Sequence, residues 1–591
     1  MLQETGGSVP PNTDHAVSVS LPTWKATVAY EEGEQWVVNK MKCGYPRFFI
    51  HPIIQELARE ILSRYGNPEI EAAMLFPSPN TARVCESFIL SKVSTEESHK
   101  IRVLDFILTQ QLETQIPTIT SPLSCVIYPK EHTNIAKQVW QHSGDGVSSR
   151  RGEFCLAALK DGLLVERKSA LADTTSQRYC KGPRRYQGRG SMNGISKGAL
   201  HTATAYQPQD GRESVQFIEE RFGRNLSSSL ANQAKIAVRR RIAGVLTADV
   251  ELNEALEKTS EEGRVAGLAE SDVYLFPTGM SSIFNSHRLL LKARGAMKSI
   301  CFGFPYIDTL KILEKWGPGC LFYGNGAPED LDDLELRLKS GERFLALFTE
   351  FPGNPLLKAP DLKRIRSLAD KFGFAVVVDE TVGNFLNINV LSHADIVVSS
   401  LTKIFSGDSN VMGGSAVLNP HGQYYEVLKD AFIQNYEDNV WAEDAVFLER
   451  NSRDFVSRIE KINRTTEEIT AILKESPLVK NVYYPKYNPS LPLYEAFRTP
   501  SGGYGGLFSV TFHSTAEAVA FFDNLEVLKG PSLGTNFTLS CPYTLLAHYG
   551  ELQWASSFGI ESDLVRISVG LEDAPLLRAR VQQALSAVCS V

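Results

Sequence analysis

Three short apolar runs grouped around one amphipathic helix constrain this chain more than any other feature. Phe344-Leu345-Ala346-Leu347-Phe348 reads as a strand, and Asp361 to Phe372 carries Leu362, Ile365 and Leu368 at helical spacing. Gly373 stops that helix, and Phe374 to Val378 and Ile396 to Ser399 read as further strands. The runs are continuous rather than alternating, so each strand is expected to be buried on both faces. Joined by helical crossovers, such strands make an α/β fold with a parallel-rich sheet, and its ligand site is expected just beyond their carboxyl ends.

The 591 residues, 43% of them hydrophobic, are enough for three or more domains. A formal charge of −7 argues against a general nucleic-acid binder. The nine cysteines are scattered without any C-x-x-C or Cys/His cluster, so reduced structural thiols are expected and a metal site is not. Glu4, Pro10, Pro11, Asp14 and Pro22 interrupt the first thirty residues, and no later run approaches the length of a membrane span. A soluble, cytoplasmic protein without membrane contact is the expectation.

Four segments follow from composition. Residues 1–165 form a separate lobe with helix-like (Ile53 to Ser63) and strand-like (Cys125 to Tyr128) pieces. Residues 166–212 hold nine Lys/Arg against three Asp/Glu with little apolar periodicity, and read as a basic flexible linker. The α/β pattern occupies 213–455, and 456–591 reads as a smaller α+β domain. A short echo links lobe and large domain: Tyr45-Pro46-Arg47-Phe48, a helix and Leu75-Phe76-Pro77-Ser78 parallel Phe222-Gly223-Arg224-Asn225, a helix and Leu275-Phe276-Pro277-Thr278. Where the second copy continues Gly279-Met280, the first has Pro79-Asn80, and proline offers no N–H to an anion. If the lobe is a degenerate repeat, it has lost phosphate binding.

The chemistry concentrates after the strands. Ser399-Ser400-Leu401-Thr402-Lys403 follows a buried strand. Lysine forms Schiff bases once desolvated, and hydroxyls two residues apart could ligate a phosphate beside it. Taken alone, Lys403 also fits an exposed lysine. Asp379 ends the preceding strand, 24 residues before Lys403, a distance one crossover could span. An aspartate there can hold a pyridine nitrogen protonated, with a helix cap or a metal ligand as the plainer roles. Phe276-Pro277-Thr278-Gly279-Met280 leads into an apolar-faced helix, and a glycine turn at a helix N-terminus presents N–H groups to a phosphate, although many such turns bind nothing.

Together these residues resemble the Cys/Met-metabolism family of pyridoxal 5'-phosphate (PLP) enzymes, and within it the fungal cystathionine γ-synthases. The resemblance is carried by Pro11-Asn12-Thr13, His15 to Val19, Gly44-Tyr45-Pro46-Arg47-Phe48-Phe49-Ile50-His51, Arg221 to Asn225, Phe304-Pro305-Tyr306, Ser400-Leu401-Thr402-Lys403, Gly530-Pro531-Ser532-Leu533-Gly534-Thr535 and Arg566-Ile567-Ser568-Val569-Gly570. It implies the fold type I of PLP-dependent transferases, like the aspartate aminotransferases, with Lys403 carrying the cofactor and shuttling protons. It further implies Asp379 at the pyridine nitrogen, Tyr306 stacked on the ring, Asn354 near the ring hydroxyl, and the phosphate on Gly279, Met280, Ser400 and Thr402. Arg566, helped by Ser532, would grip the substrate carboxylate. Arg224 would reach the phosphate of a neighbouring subunit, which implies a homodimer or homotetramer.

The usual Tyr-x-Arg is Phe222-Gly223-Arg224 here, so one phosphate hydroxyl is missing, and Tyr45 in the first lobe could supply it. Gly407-Asp408-Ser409-Asn410 and Thr535-Asn536 also depart from many relatives, which have His and Gly-Val at these places. The activity implied is γ-replacement on an O-acyl-L-homoserine, with cysteine as nucleophile giving cystathionine. A paralogue joining the same vinylic intermediate to a carbon nucleophile is the alternative, followed by cystathionine γ-lyase and an inactive scaffold.

Overall fold

A computed structural model describes residues 3–46, 48–94, 96–109, 122–167, 228–258 and 263–589. Arg224, the linker beyond residue 167, and Cys180 lie outside the described residues.

Among the described residues the polypeptide builds three sheets. The first contains β1 (Glu71–Phe76), β2 (Arg102–Leu108), β3 (Leu123–Pro129) and β4 (Leu164–Glu166), in the order β1-β3-β2-β4 and antiparallel throughout. The second contains β5 (Val273–Phe276), β6 (Ser299–Phe302), β7 (Cys320–Tyr323), β8 (Ala346–Glu350), β9 (Ala375–Asp379), β10 (Ile396–Ser400) and β11 (Gly414–Leu418), in the order β5-β11-β10-β9-β8-β6-β7. The third contains β12 (Val479–Tyr483), β13 (Leu507–Phe512), β14 (Leu528–Lys529), β15 (Leu539–Pro542) and β16 (Val565–Ser568), in the order β12-β13-β16-β15-β14.

The continuous apolar runs are strands of the second sheet. Ala375 and Val377 of β9 join one core cluster with Phe348, Ile396 and Val398, while Val376 and Val378 join another with Leu347 and Val397. The period of two therefore sends successive side chains into opposite cores, each buried aliphatic contributing about 1.5–3 kcal/mol. Helix Leu362–Phe372 covers one of those cores with Leu362, Ile365 and Leu368; Asp361 caps its start by accepting from Arg364 N at 3.0 Å, and Gly373 ends it at φ 75°. β6, β7, β8, β9 and β10 pair in parallel. β11 runs antiparallel to both of its neighbours, β10 and β5. Only thirteen residues separate it from β10, and the carbonyl of Gly413 returns to Leu401 N at 2.9 Å, which suits a reversal better than a covered crossover.

An N-terminal arm, residues 3–43, ties distant parts together. Trp24 belongs to the core of the third sheet and meets Phe522 edge-on at 6.0 Å. Leu21 N donates to Lys529 O at 3.1 Å and Val17 N to Ser409 O at 2.9 Å. The lobe carrying the first sheet is fixed to the large domain by Arg150, whose guanidinium lies 3.9 Å above the Phe447 ring and donates to Asn410 O at 2.7 Å and to Asp444 at 3.2 Å. Among the described residues no helix is long and apolar enough to cross a membrane, and the eight described cysteines are free thiols.

Candidate active site

The carboxyl ends of β8, β9 and β10 bring Glu350, Asp379 and Ser400 to one edge of the sheet. There they meet a cavity of about 210 Å³. Lys403 stands in the turn after β10, only 7% exposed. Its Nζ donates to Ser532 Oγ and to Tyr45 Oη, each at 3.0 Å, and lies 4.5 Å from the Tyr45 ring centroid. The turn is closed by Gly407 N donating to Lys403 O at 2.8 Å.

Asp379 and Glu350 are direct neighbours in the β8–β9 register. Asp379 accepts from Thr381 N at 2.8 Å; Glu350 accepts from the backbone N–H groups of Tyr306 and Asn354. Burial pushes both carboxyls well above the ordinary carboxylate range, and for Glu350 the charge of Asp379 adds to burial. Among the described residues no cation forms an ion pair with either carboxyl, and two buried carboxyls side by side favour a shared proton. A protonated pyridine nitrogen would supply the missing positive charge.

Opposite the pair, Thr278 caps helix Gly279–Arg294 by accepting from Ser281 N at 3.0 Å. The N–H groups of Gly279 and Met280 in its first turn have no intrahelical acceptor. A Cβ built on Gly279 would lie 2.6 Å from Ser400 Cβ, so glycine is what lets this helix approach β10. The Thr402 hydroxyl lines the same cavity but is engaged by Gly413, donating to its carbonyl at 3.3 Å and accepting from its N–H at 3.1 Å. It must release one of these to hold a phosphate. A buried lysine for an aldehyde, a carboxylate for a ring nitrogen and a glycine-opened helix end for a phosphate fit PLP.

The third sheet supplies the far wall. Arg566, the second residue of β16, is 5% exposed and pairs across to Ser509 of β13 and Cys541 of β15. Its guanidinium donates to Asn354 Oδ1 at 3.2 Å, Pro531 O at 3.2 Å and Ser532 O at 3.0 Å, and lies 4.7 Å from the Tyr543 ring centroid. Among the described residues no carboxylate forms an ion pair with it, so a buried cation faces the cavity with neutral partners only. Asn354 also donates to Tyr543 Oη at 3.2 Å, and Tyr306, at the N-cap of helix Ile307–Lys315, lines the cavity.

Lys403, Asp379, Tyr306, Asn354, Gly279, Met280, Ser400, Thr402 and Arg566 all border this one cavity, and Ser532 touches it through Lys403 and Arg566. Arg224 lies outside the described residues. The departures at Gly407-Asp408 and Thr535-Asn536 meet one another: Asn536 N donates to Gly407 O at 2.8 Å, and Asn536 Nδ2 to Asp408 Oδ1 at 2.7 Å. In the echo, Ser78 caps its helix as Thr278 does, but its hydroxyl donates to Glu437 at 2.7 Å, a carboxylate where an anion would have to sit. Sequence reasoning did not single out Glu350 for a role, although its place at a strand end was a usable signal. Tyr543, His15 and His51 also border the cavity; His15 and His51 lie in segments that carry the family resemblance, but sequence reasoning assigned none of the three a role. Burial, with Arg150 second, pushes His15 down to about 3 and keeps it neutral.

Two family profiles match the chain. Residues 255–586 match Cys/Met metabolism PLP-dependent enzymes, and residues 53–148 match the N-terminal domain of fungal trans-sulfuration enzymes. A cystathionine γ-synthase of Neurospora crassa is 52% identical, the match covering 96% of each chain. The cystathionine γ-synthase-like enzyme iboG2 of Amanita muscaria is 41% identical, covering 98% of this chain and 96% of its own. Among solved structures, metY of Campylobacter jejuni, holding N'-pyridoxyl-lysine-5'-monophosphate, matches 65% of this chain and 94% of its own at 20% identity and a TM-score of 0.50; the likeness is one of fold.

Proposed function

We propose, from the premise that this chain belongs to the Cys/Met-metabolism family of PLP-dependent enzymes, that it catalyses γ-replacement on an O-acyl-L-homoserine, with cysteine as nucleophile and cystathionine as product. The observation that carries the reading is Arg566: a buried guanidinium without a carboxylate partner among the described residues, joined to Lys403 through Ser532. Such a cation suits an amino acid's α-carboxylate through a bidentate pair. The Neurospora relative's name adds the reaction class.

PLP, when bound, supplies an electron sink that makes protons on the substrate's Cα and Cβ removable. Lys403 would hold it and then carry protons between Cα and Cγ. Asp379 would keep the pyridine nitrogen charged, with Glu350 beside it retaining a proton. Gly279, Met280, Ser400 and Thr402 would hold the phosphate, with Arg224 of a neighbouring subunit, in a homodimer or homotetramer. Tyr306 would pack on the ring, Asn354 would reach the ring hydroxyl, and Arg566 with Ser532 would fix the carboxylate. The division at residues 165, 212 and 455, and a cytoplasmic location, belong to the same proposal.

A carbon nucleophile is the second reading, favoured by the apolar wall that Phe48, Phe49, Ile54 and Val147 give the cavity. Product analysis after mixing the enzyme with O-acetyl-L-homoserine and either cysteine or a panel of other thiols and carbon acids decides between them. Cystathionine as the main product supports the first reading. A carbon-bonded product with cysteine ignored establishes the second, and no acyl release with any nucleophile removes both.

A further inference from the structure

Tyr45 reaches Lys403 from 358 positions away in the chain, and hydrogen bonds on both sides of it hold it there. The turn that presents it is closed by Phe48 N and Phe49 N donating to Tyr45 O at 2.9 and 3.1 Å. The neighbouring Gly44 is packed so tightly that a Cβ there would lie 2.4 Å from Phe49 Cβ. Just upstream, Lys42 N donates to Gly6 O at 2.8 Å and Cys43 Sγ to Ser18 O at 3.3 Å, fastening this stretch to the N-terminal arm. The arm in turn holds the loop after the lysine, through Val17 N to Ser409 O at 2.9 Å. Ser409 lies six positions after Lys403.

At the end of this route the phenol oxygen accepts one Nζ proton while Ser532 Oγ accepts another, and the ring face lies under the same nitrogen. Lysine side chains on flexible stems gain direction from such partners, and the neutral amine that adds to a carbonyl has two N–H bonds for these two acceptors and a lone pair left for the carbonyl carbon. We propose that Tyr45 is a positioning residue supplied in cis: its phenol aims Lys403 Nζ at the incoming carbonyl carbon, where the carbon–nitrogen bond forms and the carbonyl oxygen leaves as water with the two N–H protons, so that the lysine half of each site is assembled by a single chain. The inference rests on the reading of Lys403 as the cofactor lysine.

Tyr45→Phe keeps the ring and its packing and removes only the acceptor oxygen. Stripped of cofactor and mixed with PLP, the full chain is expected to incorporate it at Lys403, seen as growth of the visible band, about tenfold more slowly than wild type, the scale of one hydrogen bond to a charged group. Its melting curve should be unchanged. A hetero-oligomer of differently tagged Tyr45→Phe and Lys403→Ala chains locates the donor. If Tyr45 acts in cis, the remaining lysine keeps the slow rate; if a monomer forms instead, wild-type incorporation by that monomer supports the same conclusion. An unchanged rate in Tyr45→Phe, or a wild-type rate in the hetero-oligomer, overturns the inference. A wild-type chain that takes up no PLP overturns the cofactor reading and this inference with it, an outcome distinct from the first two.

Discussion

At the scale of single residues, charge and burial decide what each group can do. Arg566 is held by three neutral acceptors in a fork that a lysine cannot reproduce. Arg566→Lys should therefore raise KM for the acylhomoserine about tenfold or more, the scale of a lost charge-assisted hydrogen bond, while leaving the PLP spectrum unaltered; an unchanged KM would assign the carboxylate to another cation. The Asp379–Glu350 pair makes a pH prediction. Both carboxyls hold their protons to higher pH in the folded chain than in the unfolded one, because burial disfavours the charged forms, with the charge of Asp379 adding to it at Glu350 and that of Glu380 at Asp379. In that window the unfolded state binds fewer protons, so stability is greatest below the ordinary carboxylate pKa and falls as pH rises. Denaturant midpoints of the cofactor-free protein should drop between about pH 5 and about pH 8. Glu350→Gln should flatten that drop, and an equal slope in both proteins would show that the pair is not its source.

At the scale of elements, the site is a property of strand ends and one helix start. β9 and β10 are neighbours in parallel register, which is why Asp379 and Lys403 face one cavity although a crossover separates them. Helix Gly279–Arg294 comes close to β10 because residue 279 has no side chain. Gly279→Ala would place a methyl group against Ser400 and push the helix back. The expected outcome is PLP retention weakened about tenfold or more, with helical content preserved, measured by dialysis and circular dichroism. Full retention would mean that the backbone N–H groups there do not contact the phosphate.

At the scale of the whole molecule, the third sheet and the first lobe close the cavity that the second sheet opens, and the arm locks them together. Arg224 is the proposed site residue whose role requires a second chain. Mixing inactive Arg224→Ala with inactive Lys403→Ala protomers should restore about a quarter of the activity, since random pairing makes half the oligomers hetero-dimeric with one complete site each. No recovery despite demonstrated subunit exchange would place that arginine elsewhere. The contrast with Tyr45, for which the same mixing restores nothing, separates what one chain supplies from what two must share.

The sequence by itself determined three neighbouring strands of the second sheet, β8, β9 and β10, and the groups at their ends. Burial on both faces left continuous apolar runs around 344–399, and the residues that follow such runs were named from that pattern: Asp379, Ser400, Thr402 and Lys403, with Gly279 and Met280 at a legible helix start. The family resemblance supplied Arg566, Ser532, Tyr306 and Asn354, for which the residues alone gave no comparable signal. Only the tertiary structure decided that Ser532, 129 positions from Lys403, and Tyr45, 358 positions away, converge on one nitrogen. It also decided that Glu350 shares its burial with Asp379. The reason is physical: strand and helix patterns are local, repeating at two or 3.6 residues, whereas the docking of one sheet on another follows non-directional apolar burial. Docking leaves no period in the sequence, and the polar groups that it brings together are paired only when the layers have closed.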